Sequence, residues 1–417
     1  MNTLSHVLFI NHSIRDGGPG KSLFYILKYL DRTKITPYVL IPKDEVFSER
    51  LKVEGIYENI ILDKRFPENL KRPRFKKSFQ EEGGNGATSY YNGLLKFISV
   101  MLNILDMLSL IVTSPLLLRR NNIKVIYCNG TQAKVVGALI GLVNWCPVIW
   151  HVRNIQQTKL LGSIINTLSR LPVVRRIICV SGPTARPFNK VKEKVRVIHN
   201  GVDIEDYSPN IVKGELRAKY GISETTIVVG STGRIVPRKG YDLFINSAKT
   251  VIDELGKGPK DVKFVIVGDT PYFFQDDHLS FLKNIVSQNG LDDYFIFTGY
   301  KKEVRTYLKD FDIFVIPSNY PDPFPRTVIE AMSFELPIIG FKAAGGIVES
   351  VDDGVTGILN DSGNTEDMGR AILKLIEDPT LRKSMGVAGR KRVKDNFQAI
   401  ERTKDIQKNI LEVLGLA

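Results

Sequence analysis

Ile313-Phe314-Val315-Ile316-Pro317-Ser318-Asn319-Tyr320-Pro321-Asp322-Pro323-Phe324-Pro325-Arg326-Thr327-Val328-Ile329-Glu330-Ala331-Met332 is the stretch on which the reading of this chain turns. Ile313 to Ile316 reads as a strand, and a helix starting near Arg326 puts Glu330 one turn in and leaves Asp322 on the preceding loop. Working outward, the same strand-to-helix pattern recurs. Thr226 to Ser231, Val262 to Val267, Tyr294 to Thr298 and Pro337 to Gly340 read as strands in the second half. His6 to Asn11, Thr36 to Ile41, Asn59 to Leu62, Lys124 to Cys128, Val148 to Val152, Ile177 to Val180 and Val195 to Ile198 do so in the first, with amphipathic segments between. Such alternation implies parallel sheets covered by helices, and two doubly wound, Rossmann-like α/β domains are the simplest arrangement. Ligands of open parallel sheets bind outside the carboxyl ends of the strands, so two facing domains would hold a ligand in the cleft between them.

A chain of 417 residues is long enough for two such domains. Turn chemistry in Asn200-Gly201-Val202-Asp203 places the boundary there: 1–203 as the first domain, 204–395 as the second, and 396–417 as a helix returning toward the first. The polar, Gly-rich segment Lys64 to Asn92, centred on Lys71-Arg72-Pro73-Arg74-Phe75-Lys76-Lys77, reads as a mobile basic insertion.

Charge is unevenly divided. Residues 1–200 carry 30 Lys and Arg against 13 Asp and Glu, +17, whereas 201–417 carry 28 against 32, −4. The positive half suits a polyanionic partner: nucleic acid, an anionic membrane surface or an anionic substrate. No basic-aromatic module supports nucleic acid. Cys128, Cys146 and Cys179 sit in or beside apolar runs without zinc-like or disulfide-like spacing, so buried thiols in a reducing compartment are expected. Met1 to Asn11 lacks the pattern of a signal peptide, and the cytoplasm is the expected location. Phe97 to Leu118 approaches bilayer-spanning length but contains Asn103 and Asp106. Its polar positions, Ser99, Asn103, Asp106, Ser109 and Thr113, form one thin stripe, so this helix is either buried or lies in a membrane interface.

Three strand ends could carry chemistry. Asp16-Gly17-Gly18-Pro19-Gly20-Lys21-Ser22 fails as a P-loop because Arg15 stands where the Walker pattern needs glycine; what remains is a glycine turn at a helix N-terminus, able to approach an anion or simply to join strand and helix. Gly233-Arg234-Ile235-Val236-Pro237-Arg238-Lys239-Gly240 places three cations at a strand end, either a diphosphate clamp or solvated surface charge. In the third, Asp322 and Glu330 are carboxylates suited to sugar or ribose hydroxyls, or else a turn residue and a helix-surface acid.

In this order and at these strand ends, the three motifs resemble the retaining nucleotide-sugar glycosyltransferases of family 4, which have the GT-B fold. The resemblance covers nearly the whole chain and is strongest from Asn200 to Leu359. It rests on Asn200-Gly201-Val202-Asp203, Gly233-Arg234 with Lys239-Gly240, Val267-Gly268-Asp269, the acid-x7-Glu signature ending in Glu330-Ala331-Met332, and Gly345-Gly346-Ile347-Val348-Glu349 before Asp353-Gly354-Val355-Thr356-Gly357. It implies that Arg234 and Lys239 bind the donor diphosphate, that Glu330 binds the ribose, and that Gly18 offers its N–H near phosphates or acceptor. It further implies that His151 stands near the donor sugar, with Asp322, Phe324, Gly345 and Gly346 completing the donor site. The chain departs from the family pattern at Asp322, where glutamate is usual, and at Pro325, where glycine is common.

The expectation is therefore a sugar transferase that uses a nucleoside-diphosphate sugar and retains configuration. Its acceptor would be a glycan or lipid-linked glycan of the kind used in surface-polysaccharide assembly, reached from the inner face of the cell membrane. A sugar-nucleotide epimerase or an inactive binding module on the same scaffold is the rival. No Asp-x-Asp stands at a strand end, so neither metal nor cofactor is expected.

Overall fold

The computed structural model describes residues 4–12, 17–55, 59–66, 86–156, 158–210, 212–256, 258, 260–271, 277–343 and 345–416, excepting the side chains of 86–93 and 96. The basic run from Lys71 to Lys77 lies outside them. The chain forms two compact units, Met1–Ile198 with Arg402–Ala417, and His199–Glu401.

In the first unit, seven parallel strands are described: β1 (Ser5–Asn11), β2 (Ile35–Ile41), β3 (Ile60–Leu62), β4 (Ile123–Asn129), β5 (Val148–Val152), β6 (Val174–Cys179) and β7 (Val195–Val197), in the order β3-β2-β1-β4-β5-β6-β7. Side-chain alternation along β1 splits the core between the two sheet faces. Leu8 and Ile10 join Trp150 and the helix Thr131–Asn144 on one side, and Val7 and Phe9 join Leu23, Ile26 and Leu27 of the helix Gly18–Tyr29 on the other. The second face is completed by Ile406 and Ile410 of the last helix, Ala399–Leu414, whose Gln407 accepts a hydrogen bond from the Asp31 N–H at 2.9 Å. All three cysteines are buried and unpaired, and burial pushes the Cys146 and Cys179 thiols up to about 12.

The 35-residue helix Gly86–Arg120 exposes apolar side chains. Ser99, Asn103 and Ser114 are buried, with the Ser114 hydroxyl accepting from Asn144 Nδ2 at 2.8 Å, while Phe97, Met101, Leu105, Leu108, Val112 and Leu116 are exposed along one face. Thus the polar stripe is divided: Ser99 and Asn103 are buried, while Ser109 and Thr113 are exposed. Part of it packs on the protein, and Arg65 donates to Thr113 Oγ1 at 2.8 Å. By length and composition Phe97–Arg120 could cross a membrane.

The second unit repeats the plan with β8 (Ile227–Thr232), β9 (Val262–Val267), β10 (Phe295–Phe297), β11 (Ile313–Ile316), β12 (Ile338–Phe341) and β13 (Gly357–Asn360), parallel and ordered β10-β9-β8-β11-β12-β13. The expected strands are present to within a few residues, and β13 is an addition: four residues beginning with glycine on a sheet edge give little strand signal. The segment following Ile198 belongs to this second unit. The Val202 N–H donates to Phe397 O at 2.8 Å and the Ala399 N–H to Val202 O at 2.9 Å, so the division falls at Ile198/His199 and Glu401/Arg402.

Candidate active site

Strand order reverses direction in the second unit between β8 and β11, which are hydrogen-bonded neighbours. Loops leaving the carboxyl ends of two such strands diverge to opposite sides of the sheet and open a crevice, the usual ligand position in this topology. The loop after β8 carries Arg234 and Lys239, and the loop after β11 carries Asp322 before the helix Arg326–Ser333, so both second-half motifs stand at this point.

Lys239 Nζ lies 2.5 Å from Asp322 Oδ2, an ion pair with both side chains about one-quarter exposed (23% and 24%). Diphosphate binder and sugar binder, assigned separate partners by the sequence, are therefore each other's partner here. Arg234 is exposed; partial desolvation, followed by the neighbouring Arg238, lowers its pKa, and Asp322 acts against them. The guanidinium stays charged throughout the physiological range. The turn holding these cations is fixed by backbone geometry: Gly240 has φ +67°, and a Cβ there would meet Pro317 O at 2.2 Å. Only glycine lets the loop after β8 lie this close to the end of β11.

Glu330 is not a surface acid. The helix Arg326–Ser333 is buried over most of its length, Glu330 is 6% exposed, and its Oε1 lies 3.3 Å from Arg326 Nη2. Arg326 Nη1 also donates to Gly201 O at 2.8 Å, tying the helix to the segment after Ile198. Gly345 and Gly346 brace the loop from behind. A Cβ on Gly345 would meet Asp322 O at 2.3 Å, one on Gly346 would meet Pro323 O at 2.2 Å, and the Gly346 N–H donates to Asp322 O at 2.8 Å.

The Phe324 ring, 3% exposed, stacks on His199 at 4.8 Å and meets Phe397 edge-on at 5.4 Å, so the side chain packs the base of the loop. The loop is held further by Asn200 Nδ2 donating to Phe324 O at 3.0 Å.

Gly18 and His151 belong to the first unit. Gly18 opens the helix Gly18–Tyr29 beyond β1, and the leading N–H groups of a helix have no intrahelical partner. His151, on β5, is 2% exposed. Arg153 Nη2 donates to its Nδ1 at 3.1 Å and the Tyr127 hydroxyl is also bonded to Nδ1. With Nδ1 accepting, the ring proton sits on Nε2, which is buried with no partner among the described residues. Burial, then Arg153 and Lys134, depress the His151 pKa well below the ordinary value, so the ring is neutral. Asn129 joins the group: its Nδ2 donates to Asn11 Oδ1 at 2.9 Å and its Oδ1 accepts from Arg153 Nε at 2.6 Å. Sequence reading passed over Asn129, Arg153, Arg326 and Lys134. The readable signals were Arg153 two residues beyond His151, hence on the same strand side, and Lys134 as the one cation in the helix Thr131–Asn144.

Comparison with known proteins agrees with this geometry. Residues 16–206 match the model of Glycosyltransferase Family 4, and residues 212–392 match that of Glycosyl transferases group 1. The chain belongs to the family 4 glycosyltransferases and has their GT-B fold. One relative is the GDP-mannose-dependent alpha-(1-6)-phosphatidylinositol monomannoside mannosyltransferase of Mycolicibacterium smegmatis, 29% identical over 207 residues, 48% of this chain and 51% of that one. Another is the UDP-Gal:alpha-D-GlcNAc-diphosphoundecaprenol alpha-1,3-galactosyltransferase of Escherichia coli, 30% identical over 218 residues, 51% of this chain and 53% of that one. The chain thus spans about half the length of each of these relatives (51% and 53%). Among solved structures, Anabaena HepE in complex with UDP and glucose superposes with a TM-score of 0.75 at 22% identity, covering 97% of this chain and 98% of that one.

Proposed function

We propose that the protein transfers a sugar, with retention of configuration, from a nucleoside-diphosphate sugar held at the carboxyl ends of β8 and β11 to a glycan or lipid-linked glycan acceptor bound by the first unit. The observation that carries this reading is the gathering of Arg234, Lys239, Asp322 and the buried Glu330 at the topological switch of the second sheet. Arg234 and Lys239 take the diphosphate, Glu330 the ribose hydroxyls, and Asp322, released from Lys239 as phosphate replaces it, the sugar hydroxyls. In the first unit, the neutral His151 ring, whose Nε2–H has no partner among the described residues, supports the donor-sugar role that the family resemblance implies for it.

In the transfer step the bond from C1 of the sugar to the diphosphate oxygen breaks, and a bond from C1 to the acceptor oxygen forms on the same face. The acceptor proton passes to the departing phosphate oxygen. Glu330 is paired with Arg326 and assigned to the ribose, and Asp322 to the sugar hydroxyls, which favours direct front-face displacement over a covalent glycosyl–carboxylate intermediate. Catalysis is then positional and electrostatic, with the charge of the leaving diphosphate met by Arg234 and Lys239 in place of a metal ion.

The relatives named above use UDP-galactose and GDP-mannose and act on lipid-linked acceptors by name, which supports the donor class and leaves the base to experiment. The outward apolar face from Phe97 to Leu116, ending at Arg119 and Arg120, supports docking on an anionic cytoplasmic membrane surface, where such acceptors reside. A panel of uridine, guanosine and adenosine diphosphate sugars tests the donor assignment: one should stabilise the fold, by about 2.7 kcal/mol at 100 times its Kd. Product analysis with lipid-linked acceptors then decides the reaction. Donor binding with epimerised nucleotide sugar and no transfer would favour the epimerase reading; no stabilisation by any donor would overturn both.

A further inference from the structure

The first unit contains a cavity of about 500 Å³ between the end of β5, the helix Lys159–Leu168 and the turns following β6. Four cations line it, Lys134, Lys159, Arg170 and Lys190, and no aspartate or glutamate does. Lys159, Arg170 and Lys190 are exposed at the rim, while Lys134 is 1% exposed. Its electrostatic neighbours are the Cys179 and Cys128 thiols, and among the described residues it has no carboxylate partner. Lysine is almost never buried to this degree unless paired, because a desolvated ammonium without a counter-ion is destabilising. Burial lowers its pKa to about 8, still charged at neutral pH. The cavity thus presents a deep cation with no carboxylate partner among the described residues and further cations at its mouth.

We infer that this cavity receives the phosphoryl group of a sugar-phosphate-type acceptor, with Lys134 as its buried anchor. A phosphoryl group brings one to two negative charges and several acceptor oxygens, enough to engage Lys134 together with a rim cation, whereas a carboxylate has only two oxygens and one charge. The polar lining residues Asn154, Gln156, Thr158 and Ser163 suit the hydroxyls of the attached sugar. The inference rests on the glycosyltransferase reading and specifies its acceptor side.

The test is calorimetric titration of the full chain with inorganic phosphate and with glucose 1-phosphate. It uses the parent, an Arg234→Ala/Lys239→Ala variant that disables the proposed donor clamp, Lys134→Met, and Lys159→Ala/Lys190→Ala. Glucose 1-phosphate should bind the parent and the clamp variant alike, bind Lys134→Met at least tenfold more weakly, and bind the rim variant several-fold more weakly. Affinity unchanged in a folded Lys134→Met protein overturns the inference, as does binding lost only in the clamp variant. Should Lys134→Met fail to fold, unchanged affinity in the rim variant overturns it. Tighter binding of glucose 1-phosphate than of inorganic phosphate supports a sugar-bearing acceptor, and binding of inorganic phosphate alone overturns it. Turnover of donor sugars is read separately, so failure here is distinguishable from failure of the transferase assignment.

Discussion

The two units share one topology, and their sheets reverse at equivalent points, between β1 and β4 and between β8 and β11. They treat charge at those strand ends differently. In the second unit, Lys239 is matched by Asp322 and Arg326 by Glu330, so two of the cations already have carboxylate partners before any ligand arrives. In the first, Lys134 is buried beside thiols and has no carboxylate partner among the described residues. A balanced site selects by exchange: an anion that captures Lys239 must leave Asp322 with something else to bind, which favours a ligand carrying both phosphate and hydroxyl groups. An unbalanced site selects for negative charge itself. Donor and acceptor chemistry would then be separated by electrostatics on a common scaffold.

The largest expected effect breaks the second unit's side of this comparison. Arg234→Ala and Lys239→Ala should each lower turnover by roughly 10²–10³-fold, the loss typical of one donor to a developing oxyanion, with the circular-dichroism spectrum unchanged. Near-normal turnover in a folded double variant would remove the clamp assignment, and loss of activity on adding a chelator would show that a metal shares that charge.

Next in size is the buried lysine. Burial lowers the Lys134 pKa from the ordinary 10.5 to about 8, so it should destabilise the protein fully below pH 8 and not at all above about pH 10.5, where the side chain is neutral in both states. Lys134→Met should therefore be more stable than the parent at pH 7, by up to about 3 kcal/mol, with the gap closing between those limits. Equal denaturant midpoints at pH 7 and pH 10 would show that its charge is compensated.

Exchange in the second unit is sharpened by two isosteric variants. Glu330→Gln should weaken binding of free nucleoside diphosphate by about 1–3 kcal/mol, since a charge-assisted hydrogen bond becomes neutral in a buried place. Asp322→Asn should spare or slightly strengthen free-nucleotide binding, because Lys239 no longer has a carboxylate to leave, while lowering turnover of the complete donor. Equal loss of nucleotide affinity in both variants would refute the division of roles.

The smallest effect per residue concerns the membrane. Neutralising Lys71, Arg72, Arg74, Lys76 and Lys77 should weaken sedimentation with anionic liposomes by about 1 kcal/mol for each residue near the surface, and raised salt should do the same. Replacing Leu105, Val112 and Leu116 by serine should weaken it independently of salt. Protein that stays in the supernatant at low salt would end the membrane proposal and leave the transferase assignment intact.

The sequence alone determined the alternation of strands and helices, two domains, and the strand ends where chemistry belongs. These follow from hydrophobic periodicity and turn residues, both local properties of the chain. Val262–Val267 and Ile313–Ile316 were readable to the residue because buried parallel strands are continuous apolar runs. Which side chains meet was decided only by the tertiary structure. Lys239 finds Asp322 across 83 positions because β8 and β11 are neighbours in a reversed strand order, and no local pattern carries that fact. The burial of the Phe324 ring was likewise not legible locally, since its partners His199 and Phe397 come from distant segments. Burial is a property of the whole fold. Glu330, for which a helix-surface acid was one reading, and Lys134, which carried no local signal of its role, acquire their chemistry from the desolvation that packing imposes.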